Sequence, residues 1–193
     1  MLSDLLSPPV VWGFLAFPMA IRATGSLQDG LPWALVYVAF VCILPAAYIG
    51  IEVWRGRISD VHINLREQRL KPYAVSLLGV VLAWVTMLAL GAPQLMTLFT
   101  FFTLIQMFMM LVLTTRWKIS MHSMSITSAV VTVGVLYGPV AFLMLLPLIL
   151  LVSVARVRLR RHSVRQVISG IALGGIITLT MGIILSPLLY PAA

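Results

Sequence analysis

The stretch QLMTLFTFFTLIQMFMMLVLTT, residues 94–115, contains no charged side chain over 22 positions. About 20 consecutive apolar residues form a helix that is long enough to cross the roughly 30 Å hydrocarbon core of a bilayer. Because no water is present there to satisfy backbone N–H and C=O groups, a spanning segment of this kind must be helical. The stretch therefore predicts a transmembrane helix.

Similar apolar segments lie on both sides of this stretch. We predict further spans over residues 32–54, 72–91, 123–137, 139–155 and 167–190. An additional segment, 8–23, contains Pro18 and Arg22, and it either spans the membrane or is partly re-entrant. Pro45 predicts a kink in the 32–54 span, because proline removes a backbone donor and clashes with the preceding turn.

The composition of the whole chain is typical of a membrane protein. Apolar residues make up 61% of the 193 positions and charged residues only 9%, whereas soluble domains carry about 25% charged residues. The sequence therefore predicts an all-α, polytopic membrane bundle of six or seven transmembrane helices. We expect a single integral membrane domain over residues 1–193, with no nucleic-acid partner.

Three polar loops, 55–71, 116–122 and 155–166, separate these spans. Two crossings lie between consecutive loops, so all three loops are predicted on the same side of the membrane. They contain twelve of the thirteen lysine and arginine residues. They also contain all of the histidines, which are His62, His122 and His162. The positive-inside rule predicts that this side is cytoplasmic, in a multi-pass protein of the plasma (inner) membrane.

Histidines beside clustered cations allow three chemical interpretations. Haem or a transition metal is disfavoured, since no cysteine or carboxylate cluster accompanies the histidines and the cations would repel a metal ion. We therefore expect no metal and no cofactor. The loops could instead bind anionic lipid headgroups without chemistry. They could also transfer a phosphoryl group, with cations neutralising the phosphate, one histidine attacking phosphorus and another protonating the leaving oxygen.

The arginine-rich loop carries the most specific pattern for phosphoryl transfer. It reads ARVRLRRHSVRQ over residues 155–166, which places His162 six positions after Arg156 and Gln166 four positions further on. This pattern resembles S-R-x5-H-x3-D, one of three motifs of the type 2 phosphatidic acid phosphatase superfamily, whose soluble relatives include vanadium haloperoxidases. Gln166 stands where that family has an aspartate.

The other two motifs of this family have counterparts in the remaining loops. The motif P-S-G-H resembles ISMH at residues 119–122, and K-x6-R-P resembles NLREQRLKP at residues 64–72. The order of the motifs and the two crossings between them are also similar to the family. The resemblance covers about residues 50–175, within a phosphatase-like core of about 32–190.

The resemblance implies a role for each matching residue. His162 would be the nucleophile that forms a phosphohistidine, and His122 the acid that protonates the departing alcohol. Gln166 would orient His162, because residues four apart share one face of a helix. The residues that the motifs match to phosphate binding are Arg156, Lys71, Ser120 and Asn64. Arg66 and Arg69 match no motif position, but their charge and proximity suggest additional phosphate contacts.

The sequence thus favours hydrolysis of a lipid phosphate or diphosphate at the membrane interface: phosphatidate, phosphatidylglycerophosphate or a polyprenyl diphosphate. The expected partners are this substrate and the surrounding membrane lipids. An alternative is a weakly active or inactive member of the superfamily that binds lipid or serves as an accessory subunit of a membrane complex. We expect His122, His162, Arg156 and Lys71 to converge at one end of the bundle.

Overall fold

The apolar segments of the sequence form helices, as predicted. The computed structural model describes residues 6–61, 63 and 65–190. These residues form seven helices and no strand. The helices are α1 (Pro8–Thr24), α2 (Leu27–Trp54), α3 (Glu67–Ala89), α4 (Gln94–Thr114), α5 (Met121–Tyr137), α6 (Pro139–Arg158) and α7 (Val164–Leu189).

Five of these helices, α2, α3, α4, α6 and α7, are long and apolar enough to cross a membrane. Their outer faces expose many large apolar side chains, including Val85, Leu150 and Ile183. Soluble proteins rarely expose contiguous apolar surface on this scale, whereas a lipid-facing surface requires it. The chain is therefore an integral membrane protein with an all-α fold.

The two remaining helices, α1 and α5, have 17 residues each and are not among the five candidate spans, although the sequence predicted six or seven transmembrane helices. Helix α1 is continuous through Pro18, and Ser7 before its first turn lies against the same cavity as His162. Near its other end, Arg22 donates a hydrogen bond to the carbonyl of Leu189, at the end of α7. The segment is thus an unbroken helix along the height of the bundle and not a re-entrant loop.

Pro45 lies directly after a π-helical segment, Val38–Ile43, within α2. Both a proline and a π-helical turn are places where helices bend, so the irregularity lies where the sequence predicted a kink. Helix α3 packs against this segment through Gly79, where an added Cβ would clash with the carbonyl oxygen of Phe40. The glycine lets the two backbones touch.

Helix α5 is largely buried and packs closely against α7. Cβ atoms added at Gly170 and Gly174 would lie 2.5 Å from the carbonyl oxygens of Ser120 and Met124, respectively. Small residues four apart allow this close approach between membrane helices. The packing also brings together the loops that precede α5 and α7, where the Ser120 N–H donates to the Gln166 carbonyl at 3.2 Å.

The three polar loops meet at one end of the bundle, which we call the polar end. Lys118 Nζ donates to the carbonyl of Arg161 at 2.9 Å, joining the second and third loops. Arg161 pairs with Asp60 of the first loop at 3.1 Å, and Arg66 donates to the carbonyl of Arg116 at 2.8 Å. The structure therefore brings the loops together as the count of crossings predicts.

Candidate anion site at the polar end

A cavity of about 380 Å³ extends from the polar end into the bundle. Three charged or titratable side chains line its outer part, and we call them the polar mouth: Arg69, His122 and His162. Deeper in, the lining is mainly apolar and comes from α1 to α4, with Trp12, Val41, Pro45, Ile49, Val80 and Met107 among its residues. The cavity thus combines a polar mouth with an apolar body.

Arg69 is the cation of the polar mouth, and it is only 3% exposed. Its Nε donates to the carbonyl of Ile63 at 2.8 Å, and its Nη1 donates to the carbonyl of Ile119 at 3.3 Å. These two bonds hold the guanidinium between the first and second loops. Arg69 matches no motif position of the resemblance, yet the structure shows it at the mouth of the cavity.

Lys71, which the resemblance matched to a phosphate ligand, does not line the cavity. Its side chain is exposed at the beginning of α3. Two residues of helix correspond to about 200° of rotation, so Lys71 and Arg69 point to opposite sides of α3. Lys71 thus lies at the polar end with the histidines, as expected, but Arg69 and not Lys71 lines the cavity.

His162 is held in one tautomer by Gln166. Its Nδ1 lies 3.2 Å from Gln166 Oε1, which also accepts the backbone N–H of Ser163 at 3.1 Å. Because that N–H can only donate, the shared atom of Gln166 is its oxygen, and Nδ1 of His162 must carry the proton. The lone pair of the imidazole then lies on Nε2.

Burial lowers the pKa of His162 from an ordinary 6.5 to about 3. Three neighbouring cations add to this effect: Arg69, Lys118 and Arg156. The hydrogen bond with Gln166 acts in the opposite direction. At neutral pH His162 is consequently an uncharged imidazole, which is the form that a nucleophile requires.

Two further cations lie near the polar mouth, although neither lines the cavity. Arg156, at the end of α6, is 1% exposed, and its charge acts on both His162 and Lys118. The pKa of Lys118 is lowered by partial burial first and then by Arg69, Arg156 and Arg161. Sequence reasoning missed Lys118, although its position between ISMH and Trp117 in a motif-bearing loop could have indicated it. Together these residues make a strongly positive environment.

The carboxylates at the polar end pair with other arginines. Glu52 lies 3.2 Å from Arg57, and Asp60 lies 3.1 Å from Arg161. Twelve cations but few acids occupy the three loops, so the region carries a clear excess of positive charge. Such a cluster favours binding of an anion.

Ser120 serves as the N-cap of α5 and does not line the cavity. Its Oγ accepts the backbone N–H of Ser123 at 3.3 Å, and its own N–H is bonded to Gln166. The phosphate contact that the resemblance implied for Ser120 is therefore replaced by a structural one. Met121 and His122, the first residues of α5, do line the cavity, so the positive end of the helix dipole faces it.

Arg66, another predicted phosphate ligand, does not line the cavity. Arg66 is partly buried and bonds to the carbonyl of Arg116, which fastens two loops together. Asn64, like His62, lies outside the described residues. Within the described part of the chain, no group of three or more His, Cys, Asp or Glu side chains is arranged to hold a metal ion.

Comparison with known proteins adds no relative. The chain matches no protein-family model, and neither a curated protein nor a solved structure matches it. Fold and site together define the class: an integral membrane helix bundle with a cation-rich, histidine-bearing cavity at one end.

Proposed function

We propose that this protein hydrolyses a lipid phosphate monoester or diphosphate at the membrane interface, through a phosphohistidine on His162. The observation that supports this most strongly is the meeting of Arg69, His122 and His162 at the mouth of one otherwise apolar cavity. In this proposal Arg69 binds the phosphate, His162 is the nucleophile and His122 is the acid, and the apolar body of the cavity takes the hydrocarbon chain.

The reaction proceeds in two displacements at phosphorus. In the first, Nε2 of His162 attacks phosphorus, the bond to the leaving oxygen breaks, and His122, as the proposed acid, gives that oxygen a proton. In the second, water attacks the phosphohistidine while His122 takes a proton from it, and the N–P bond breaks to release phosphate. Arg69 and Arg156 stabilise the negative charge on the phosphoryl oxygens in both steps.

The orientation proposed for the membrane places the polar end in the cytoplasm, at the plasma (inner) membrane, because basic loops are retained there. Single cysteines at Arg158 and at Leu90, in the exposed turn after α3, test this in a Cys42→Ser background. A membrane-impermeant reagent applied to intact cells should label Leu90→Cys alone. Labelling of Arg158→Cys alone would reverse the proposed orientation.

A second candidate is a lipid-phosphate binding protein, or an accessory subunit, that performs no turnover. One observation favours it. Gln166 completes a capping box with Ser163 at the beginning of α7, which explains a glutamine at this position without any catalytic role. The two candidates share the anion site and differ only in whether His162 attacks phosphorus.

Phosphate release by the purified protein decides between them. The substrates are phosphatidate, phosphatidylglycerophosphate and polyprenyl mono- and diphosphates, and a radiolabelled phosphate group tests for an acid-labile phosphohistidine. We expect slow release that His162→Ala abolishes. Arg156→Ala should lower the rate by about 100-fold or more, while the exposed neighbour Arg158→Ala serves as the matched control. Binding of these lipids without release, in protein that retains its fold, would favour the second candidate.

A further inference from the structure

The cavity is open at its side. Three residues of its lining are exposed, Ala46 and Gly50 on α2 and Val61 in the first loop, and we call them the side opening. The three residues of the polar mouth are covered instead, since each of them is at most 8% exposed. Within the described residues, the lining is thus exposed at the flank of the bundle and buried at the polar mouth.

The side opening lies beyond the irregular turn in α2. Up to Ile43, α2 packs closely against α1, and a Cβ added at Gly13 of α1 would lie 3.8 Å from Cys42 Sγ. The rest of α2, Leu44–Trp54, packs against α3 and makes few contacts with α1. Because a π-helical turn and a proline bend a helix, this part of α2 separates from α1 and leaves the gap into which the cavity opens.

The position of the side opening along α2 shows that it faces lipid. Trp54, the last residue of α2, is 85% exposed, and exposed tryptophans at the ends of spanning helices are typical of the membrane interface. Gly50 and Ala46 precede Trp54 by four and eight residues, which places them about 6 and 12 Å further along the helix from the interface. The opening therefore extends from the interface into the hydrocarbon layer.

Small residues keep the side opening free. A Cβ added at Gly50 would meet no described atom within 4 Å outside the backbone of its own helix, whereas at Gly79 it would clash with the backbone of α2. Gly79 thus serves close packing, but Gly50 borders empty space. Ala46 lies four residues from Gly50, so both are on one face of α2, and neither has a side chain long enough to close the gap.

We infer that a membrane lipid enters this cavity sideways from the bilayer, through the side opening between α1 and the second half of α2. Its phosphate then lies at the polar mouth, and its hydrocarbon chains pass back between the two helices into the bilayer. This rests on the proposed function, because it takes the polar mouth as the phosphate site. A lipid on this route keeps its apolar surface out of water at every stage, which the hydrophobic effect favours.

A photoreactive phosphatidate tests the route. It carries a diazirine in one acyl chain and is mixed into phosphatidylcholine nanodiscs that hold the full chain, and mass spectrometry then locates the labelled residues. We expect labelling of Tyr73 and Ser76, which are buried residues of the cavity lining on α3. Val85, on the exposed face of α3, is labelled by any surrounding lipid and serves as the internal reference. Labelling of Val85 without labelling of the cavity lining would overturn the inference.

Filling the side opening should stop this labelling. Gly50→Trp places an indole in the gap and should lower the labelling of Tyr73 and Ser76 about tenfold or more, since no room then remains for a chain. Ala47→Trp is the matched control, because Ala47 is exposed on the same helix but does not line the cavity, and it should change nothing. Ala46→Trp fills the same opening if Gly50→Trp does not fold. Undiminished labelling in a folded variant with a filled opening would contradict the route.

Inorganic phosphate separates a blocked route from a damaged anion site. This small anion needs no gap wide enough for a chain, so it should raise the melting temperature of the native chain, Gly50→Trp and Ala47→Trp alike. Stabilisation that is lost in Gly50→Trp alone would assign the effect of this variant to the polar mouth and contradict the route.

Phosphate release from phosphatidate in the same nanodiscs separates this inference from the proposed function. Labelling of the cavity lining without release would contradict the proposed hydrolysis and leave the sideways entry standing. Release by Gly50→Trp at the native rate would contradict the sideways entry and leave the hydrolysis standing.

Discussion

Replacing Gln166 by glutamate tests the role of His162 directly. Glutamate keeps the length of the side chain, and it is also a preferred residue at this position of a capping box, so the hydrogen bonds at the beginning of α7 should survive. The change puts a negative charge at the atom that now lies 3.2 Å from His162 Nδ1. Nothing else in the polar mouth is altered.

The size of the effect follows from that distance. At an effective dielectric of about 20, a carboxylate at this separation attracts an imidazolium by about 5 kcal/mol. The pKa of His162, about 3 in the native chain, should therefore rise towards its ordinary value. In serine proteases the exchange of carboxylate for amide costs about 10⁴ in rate, partly through a wrong tautomer. Here the tautomer is already correct, and a charge-assisted hydrogen bond is roughly twice as strong as a neutral one, so we expect a gain of about tenfold in kcat.

The assay is phosphate release as a function of pH, for the native chain and Gln166→Glu. The variant should be faster at pH 8 and should lose activity below about pH 6, where its His162 becomes protonated. In the native chain His162 should cause no such loss in this range. Val164→Glu adds a carboxylate to the same turn of α7 on an exposed position, and it should change neither the rate nor the profile.

Two results would contradict this reasoning. A folded Gln166→Glu protein with neither a higher rate nor a new loss in acid would show that His162 is not the attacking group. Activity that persists in His162→Ala, in either background, would do the same. The cations would then be interpreted as a surface for lipid headgroups.

Three further measurements test the structure. Arg69→Gln should weaken binding of dodecyl phosphate by about tenfold or more, since a hydrogen bond to a charged group contributes about 1.5–3 kcal/mol. Lys71→Gln should have little effect on this binding. If Lys71→Gln instead weakened binding more than Arg69→Gln, Lys71 would be the phosphate ligand, as the motif implies. The free energy of unfolding should fall by up to about 1.4 kcal/mol per pH unit as the pH drops from 6.5 towards 3. The reason is that the unfolded chain then binds a proton that buried His162 does not. The same pH dependence in the thermal unfolding of a His162→Asn protein would exclude this cause. Gly174→Ala should destabilise the protein by about 1–3 kcal/mol, because the added methyl group clashes with α5. Gly175→Ala should have little effect on stability, because the nearest atom to its Cβ would be 3.8 Å away. Equal melting temperatures for the two variants would contradict this packing of α5 against α7.

The helices and the common end of the loops could be predicted from the sequence because they depend on hydropathy and on counting crossings. The contact between His162 and Gln166 was also predictable, since it needs only the four-residue spacing of a local motif. The sequence could not predict that Arg69, and not Lys71, lines the cavity. The motif alignment fixes positions along the chain but not which face of α3 turns towards the cavity. The three- and four-residue spacing shows that one face of the helix contains Arg69, Tyr73, Ser76 and Val80. Only the structure shows that this face turns towards the cavity.

The part played by α1 was likewise beyond the sequence. The resemblance began near residue 50 and the core near residue 32, yet Ser7 and Trp12 line the cavity. Ser120 illustrates the same limit, because a serine beside a histidine can be a phosphate ligand or a helix cap with equal sequence support. Its N–H bond to the Gln166 carbonyl is a contact between segments 46 positions apart, which no local pattern reveals.

The positive charge around His162 has two opposing effects on the proposed chemistry. It keeps the imidazole neutral and therefore nucleophilic, but it also disfavours the positive ring that forms when Nε2 bonds to phosphorus. Gln166 cannot offset that charge, so the negative phosphoryl group must do so, held by Arg69 and Arg156. A terminal phosphate with two negative charges offsets the cluster better than a diester with one. For the proposed hydrolysis, the charge balance of the polar mouth therefore favours phosphate monoesters and terminal diphosphates over diesters.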